Sequence, residues 1–266
     1  MVRKLIKYDF ASFLRLILPV QLILLGIAAL NRIIQLFEDS HATVYNIIFG
    51  SSTVLYVISI IVALVLTWIV AIVRFYQGMY SNEGYLSHTL PVTPTQHIFS
   101  KLIVSMLFML GTLFTVFISF IIVTLGEMNI EIFKAGGFLF GKAVEATNGA
   151  FIWYFIEFCV LMLIGMCSGF LCIYFCISVG QLAAKRKILL AFGVFFGLYF
   201  IGQVIGTIMI IIMSVVDLRG LYDWITNHFV TFYHLVFCGG IVLEIIMAAV
   251  YFLITKFIMG KKLNLT

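Results

Sequence analysis

Residues 54–73 read VLYVISIIVALVLTWIVAIV and contain no charged side chain. A helix needs roughly 20 predominantly apolar residues to cross about 30 Å of hydrocarbon, and this run is long enough. Five further runs have a similar character, at approximately residues 16–37, 102–125, 150–180, 188–216 and 235–255. None of them alternates apolar and polar positions as the short strands of a membrane barrel do. The sequence therefore predicts an all-α integral membrane protein with six transmembrane helices.

The composition favours a protein that lies almost entirely in the bilayer. Of the 266 residues, 64% are hydrophobic and 10% are charged, whereas soluble domains carry about 25% charged residues. The chain has no internal repeat and no polar stretch long enough for a folded aqueous domain. We expect one six-helix transmembrane domain over residues 1–266.

The basic residues predict the orientation, because cytoplasmic loops carry an excess of Lys and Arg. Twelve fall on the side of both termini: Arg3, Lys4, Lys7, Arg15, Arg74, Lys101, Lys185, Arg186, Lys187, Lys256, Lys261 and Lys262. Four fall on the other side: Arg32, Lys134, Lys142 and Arg219. Both termini are therefore expected in the cytoplasm. The net charge of +5 reflects this topology, and nothing in it indicates nucleic-acid binding.

The N-terminal residues 1–15 have the pattern of a helix that lies in the inner interface of the membrane. Apolar side chains form one helical stripe, and basic ones lie opposite. Asp9 falls on the apolar stripe and interrupts it. Membrane anchoring is the simpler interpretation, and docking of a partner is the alternative.

Two long outer loops are expected, at residues 126–149 and 217–234. The second is rich in aromatic residues and is interpreted as a short re-entrant segment, which must be buried in protein at that depth. Within the first, GGFLFGKA at residues 136–143 has the glycine and lysine spacing of a phosphate-binding loop. Ala143 stands where a magnesium-binding Ser or Thr belongs, so we reject a nucleotide site there.

Small residues and cysteines have structural explanations. Three G-x-x-x-G pairs allow helices to approach closely in lipid, either within one subunit or in a dimer; they are Gly165 with Gly169, Gly193 with Gly197, and Gly202 with Gly206. The five cysteines fall inside predicted spans at no metal-ligand spacing, and we interpret them as small buried hydrophobes.

Glu157 and Glu244 place carboxylates inside predicted spans. Such groups usually face the bundle interior or a wet cavity. Gln203 is a candidate partner, and so are two polar residues near the outer end of the first span, Arg32 and Gln35. Two roles of these carboxylates stay open as equal alternatives. They make a structural hydrogen bond, or they line the substrate path together with Gln203.

The cytoplasmic segment 74–101 carries a strong helix start. Thr93 suits the N-cap, Pro94 the first helical position, and Gln96 the reciprocal position of a capping box. Pro91 favours an extended conformation at the residue before it, so about residues 78–88 should form a separate short element. That element would expose a mixture suited to protein contact, namely Tyr80, Glu83, Tyr85 and His88.

Residues 74–102, RFYQGMYSNEGYLSHTLPVTPTQHIFSKL, resemble the segment between spans two and three in permease chains of type-two ABC exporters, where a similar E-G-Y-L…T-L-P-V stretch recurs. The similarity is nearest to exporters of amphipathic toxin peptides such as phenol-soluble modulins. The resemblance implies a bacterial plasma-membrane permease that pairs with a second permease chain, identical or different. Each permease docks a cytoplasmic ATPase subunit, which binds ATP and Mg²⁺, so this chain would bind no cofactor and would not itself be an enzyme.

The same resemblance assigns Glu83, Gly84, Tyr85 and Leu86 to the coupling helix that meets the ATPase. Tyr80 and His88 would flank that contact. In this hypothesis the loop with Lys185, Arg186 and Lys187 moves with the coupling helix, although positive-inside topology alone also explains these three cations.

Rival functions are also considered. An ion-coupled secondary transporter would need polar groups near the midplane, for which only Gln203, Glu157 and Glu244 qualify. A membrane enzyme would need a catalytic set, and we find none in the sequence. A scaffold or immunity protein without transport activity is the third alternative.

Overall fold

A computed structural model describes residues 2–37, 42–81, 93–125, 127–147, 149–183, 185–215, 220 and 225–261. Over these residues the chain forms long helices and no strand. The helices are α1 Val2–Gln35, α2 Ala42–Tyr80, α3 Pro94–Val123, α4 Glu127–Ala146, α5 Ala150–Gly180, α6 Lys187–Val215 and α7 Phe229–Lys261. Six of them, all except α4, are long and apolar enough to cross a membrane. This confirms the predicted all-helical architecture with six helices able to span a bilayer.

Four of the six spanning helices, α1, α2, α3 and α7, are longer than the apolar runs that predict them. α5 coincides with the expected range 150–180, but α2 has 39 residues and α7 has 33. A bilayer core needs only roughly 20. A helix ends where a breaker or cap stops it, not where the hydrocarbon ends, so apolar runs underestimate its length.

α1 is a single helix of 34 residues that continues through Pro19. The expected boundary between an interfacial helix at residues 1–15 and a first span at 16–37 is not seen. Residues 2–18 contain neither Gly nor Pro, so no residue there stops the helix. A proline inside a membrane helix is tolerated because neighbouring groups satisfy the freed backbone.

Part of the first predicted outer loop is the helix α4, at residues 127–146. The charged residues of α4 follow the helical period in the sequence, so they fall on one stripe of the helix. They are Glu127, Glu131, Lys134, Lys142 and Glu145. The glycines of GGFLFGKA lie inside this helix, so the stretch is not a phosphate-binding loop. Part of the expected re-entrant loop, at 217–219 and 221–224, lies outside the described residues, and α7 already begins at Phe229.

The chain divides into two compact units, Met1–Phe140 and Gly141–Thr266. In unit 1, α1, α2 and α3 pack together pairwise. Their contact includes a cluster formed by Leu24, Ala28, Tyr56 and Ala63, in which both alanines are fully buried. Small side chains at these positions allow the helix backbones to approach closely.

Hydrogen bonds between side chains also join the helices of unit 1. Thr112 of α3 accepts a bond from Gln21 of α1 at 3.3 Å and lies 3.0 Å from the hydroxyl of Thr67 of α2. Tyr56 of α2 pairs with Ser119 of α3 at 3.0 Å. Bonds of this kind contribute about 0.6 kcal/mol each in membrane proteins. They also select one register for the three helices.

In unit 2, α5 is the central helix and packs against both α7 and α6. The turn from α5 to α6 is tight at Gly180, where an added Cβ would lie 2.7 Å from the Ala191 Cβ and from the Lys187 carbonyl oxygen. By contrast, four glycines of the predicted pairs on α6 have no described atom within 4 Å of such a Cβ, at Gly193, Gly197, Gly202 and Gly206. They do not mediate close helix packing within the described part of unit 2.

Candidate functional site

The central residues of the predicted coupling segment, Glu83, Gly84, Tyr85, Leu86 and His88, lie outside the described residues. Tyr80 is the last residue of α2. Its ring packs back on its own helix, with centroids 6.0 Å from Phe75 and 6.4 Å from Tyr76. The structure therefore describes the two helices that flank the segment.

The helix that follows the segment starts as predicted. Thr93 has extended backbone angles, Pro94 is the first residue of α3, and the Thr93 backbone N–H donates to Gln96 Oε1 at 3.2 Å. This confirms the predicted helix start and its capping residues.

Two turns into α3, three side chains form what we call the Asp9 clamp: Asp9, Ser100 and Lys101. Lys101 Nζ lies 3.2 Å from Asp9 Oδ1, and Ser100 Oγ donates to Asp9 Oδ2 at 2.9 Å. The Lys101 and Asp9 side chains are only 8% and 20% exposed. The interruption of the apolar stripe on α1 is thus explained, because Asp9 bonds with α3. Sequence reasoning noticed this aspartate but did not find its partners.

Gly78 of α2 completes the contact. A Cβ at this position would collide with Lys101 Nζ and lie 2.8 Å from Lys101 Cε. The lysine therefore reaches Asp9 over a glycine on the neighbouring helix. As a result α1, α2 and α3 meet at one point, close to the end of α2 and the start of α3.

A second bond ties α2 to α1 nearby. Arg74 Nη2 donates to the backbone carbonyl of Ser12 at 3.4 Å. Arg74 Nε is buried and makes no hydrogen bond within the described part of the chain. The sequence had assigned Arg74 to the cytoplasmic side only by counting charges, and its contact with α1 depends on the tertiary structure.

The basic loop of unit 2 presents its charges to the surroundings. Lys185 and Arg186 are exposed, whereas Lys187 is half-buried at the start of α6. Arg186 has a φ of 59°, in the left-handed region that only a few non-glycine residues adopt. This arrangement is compatible with both predicted roles of the loop, topology and partner contact.

Glu157 has a partner that the sequence did not suggest. Its Oε1 lies 2.7 Å from His234 Nδ1, which links α5 to α7. The expected partners bond elsewhere: Gln203 donates to the Tyr199 hydroxyl on its own helix at 3.0 Å, and Arg32 donates to Gln35 at 2.8 Å. His234 lies one residue before the predicted sixth span and was therefore read as part of a loop.

The ring of Tyr154 packs beside this pair. It is 4.7 Å from the imidazole of His234, and its hydroxyl donates to the Val230 carbonyl at 3.0 Å. Tyr154 and Glu157 are three residues apart and so share a face of α5. The N-terminal part of α5 thus holds a carboxylate, an imidazole and an aromatic wall together.

Glu244 of α7 is half-buried and is not part of this group. Within the described residues no three His, Cys, Asp or Glu side chains are arranged to hold a metal ion.

Gln203 is exposed on α6 and has no contact with either carboxylate in the described hydrogen bonds. The predicted substrate path through Glu157, Gln203 and Glu244 stays a prediction. Comparison with known proteins found no matching family model, no matching curated protein and no matching solved structure.

Proposed function

We propose that this chain is the permease subunit of an ATP-driven exporter in the bacterial plasma membrane. Its spans would form the path for an amphipathic or hydrophobic substrate, with a peptide favoured. Separate cytoplasmic ATPase subunits would bind ATP and Mg²⁺ and act on residues 78–88. A second permease chain, identical or different, would complete the path.

The observation that carries this proposal is the Asp9 clamp. It joins α1, α2 and α3 at the end where residues 82–92 connect α2 to α3. A displacement of that segment would therefore move three helices together, because separating Asp9 from Lys101 would leave uncompensated charges in a largely buried place. The proposal needs such a rigid attachment for force to reach the bilayer.

The resemblance of residues 74–102 to exporter permeases supplies the identity of the driving partner. Glu83 and Tyr85 would contact the ATPase, and the exposed cations Lys185 and Arg186 would make a second contact. ATP binding would bring the ATPase subunits together, and the attached helices would rearrange to release substrate on the outer side.

The decisive experiment is co-purification of the chain with a cytoplasmic ABC ATPase subunit, whose gene we expect beside that of the permease. We expect Glu83→Arg and Tyr85→Ala to abolish the complex and ATP-driven transport in liposomes, while the permease keeps its elution profile. Lys134→Glu, which reverses an exposed charge on α4, is the matched control and should leave the complex intact. A complex that survives both segment variants would contradict the proposal. Labelling of residues 78–88 by a reagent added on the outer side would contradict it as well.

An ion-coupled secondary transporter is the second candidate. The Glu157–His234 pair places a titratable couple at the outer end of two potential spans, and such pairs often serve proton transfer. The isolated chain in liposomes would then accumulate substrate from a pH gradient without ATP. If the chain neither binds the ATPase nor transports substrate by either route, the scaffold or immunity function remains as the explanation.

A further inference from the structure

We propose that Glu157, with the rings of Tyr154, Tyr233 and Phe237, forms a binding site for an amphiphile that carries an organic ammonium group. The site lies within unit 2, at the outer ends of α5 and α7. The site would extend the proposed exporter function by naming a class of substrate. Only the claim that the bound amphiphile is a substrate rests on that function.

The two oxygens of Glu157 have different environments. Oε1 is held by His234 Nδ1 at 2.7 Å, whereas Oε2 is buried and makes no hydrogen bond within the described residues. A buried acceptor without a partner is costly, and for a charged group the cost is larger. Oε2 is therefore suited to accept a hydrogen bond from a ligand, and His234 holds the carboxylate in a fixed orientation for it.

Aromatic rings of α7 pack on Tyr154, which lies one helical turn before this carboxylate on α5. The centroid of Tyr154 lies 5.8 Å from that of Tyr233 and 6.3 Å from that of Phe237. Phe229 extends the group, with its centroid 4.5 Å from Tyr233. Ring faces attract a cation that lies within about 6 Å of the centroid, and they also accept apolar groups.

The combination selects the chemistry of the ligand. A carboxylate repels anions, and a neutral apolar molecule would leave Oε2 without a donor. A divalent metal ion would need more ligands than the described residues provide. An ammonium group satisfies Oε2 and the rings at once, and an attached apolar body has a further aromatic surface to contact.

Two sources supply such a group: the lysine side chains of an amphipathic peptide, and the headgroup of an aminophospholipid. Both share the same chemistry, an ammonium on an amphiphile. Glu157 is seven residues into α5, so the site lies roughly 10 Å along the helix from its outer end. This depth is accessible to either ligand from the bilayer interface.

The probe for the test is dansylcadaverine, a fluorescent primary amine, titrated into the purified full chain in non-ionic micelles. At about pH 8 an alkylamine is protonated. We expect Glu157→Gln to weaken binding at least about ten-fold, as expected for loss of a hydrogen bond to a charged group. Glu131→Gln makes the same chemical change at an exposed site on α4 and should bind the probe normally.

Two further measurements do not depend on how well Glu157→Gln folds. The N-acetylated probe, which is neutral, should bind the unaltered chain at least about ten-fold more weakly. Phe237→Leu keeps the carboxylate and should weaken amine binding by roughly two- to five-fold. Equal affinity for amine and acetylated probe, or normal binding by a folded Glu157→Gln variant, would overturn the site.

Competition identifies the source of the ammonium group. Displacement of the probe by a lysine-containing amphipathic peptide indicates a peptide ligand, and displacement by phosphatidylethanolamine indicates a lipid. Displacement by neither would overturn the assignment to an amphiphile. The binding assay contains no ATPase, so its result is independent of the exporter function. ATP-driven export that is unchanged in Glu157→Gln would remove the substrate role while leaving the exporter function in place.

Discussion

Lys101 Nζ and Asp9 Oδ1 lie 3.2 Å apart although 92 positions separate the two residues in the sequence. Both side chains are largely buried. The pair joins the first helix of the chain to the helix that follows the proposed coupling segment. Because it lies beside Gly78, the same contact also involves α2.

Removal of one partner of this pair should be more harmful than removal of both. We expect Asp9→Leu or Lys101→Met alone to lower the free energy of unfolding by about 3 kcal/mol, since each leaves a buried charge without its counterion. The double variant Asp9→Leu/Lys101→Met should be more stable than either single variant. Reversible unfolding in mixed micelles measures the difference, with Lys134→Met on exposed α4 as the control. If the double variant lost as much unfolding free energy as the two single variants together, an interaction between Asp9 and Lys101 would be contradicted.

Gly78→Ala should disturb the clamp because its Cβ would collide with the end of Lys101. We expect a loss of about 1 kcal/mol in unfolding free energy, at the low end of the range for overpacking, because the flexible end of Lys101 can shift at the expense of its bond with Asp9. Gly26→Ala is the matched control in α1, where a Cβ meets no described atom within 4 Å; it should be neutral or stabilising by up to about 1 kcal/mol. In a Lys101→Ala background Gly78→Ala should become harmless. Persistence of the loss there would show that Lys101 is not the cause.

Gly180→Ala should destabilise unit 2. The added Cβ would lie 2.7 Å from the Lys187 carbonyl oxygen, and backbone cannot yield as a flexible side chain can. We expect α5 and α6 to separate at their turn and the melting temperature in micelles to fall by several degrees, as about 1–3 kcal/mol of overpacking implies. Gly193→Ala, with no described atom in reach of its Cβ, should melt like the unaltered chain. Equal melting temperatures for the two variants would rule out a tight turn.

The sequence predicted those features that local chemistry determines. Apolar runs such as residues 54–73 and 150–180 predicted six helices able to cross a membrane, because backbone groups in hydrocarbon must bond within the segment. The start of α3 at Thr93 and Pro94 was predicted from capping chemistry, which acts over one turn. Helix α4 was missed, although the spacing of its charges from Glu127 to Glu145 was readable as a helical stripe.

Only the tertiary structure decided which polar side chains pair when they are far apart in the sequence. Asp9 was recognised as an anomaly on an apolar stripe, yet nothing in one sequence indicates that Ser100 and Lys101 satisfy it. Likewise, Glu157 bonds with His234, because the packing of α5 on α7 brings those two side chains together. Helix formation depends on neighbours within a few positions, whereas the pairing of polar groups depends on which helix faces meet, and that is a property of the whole packed unit.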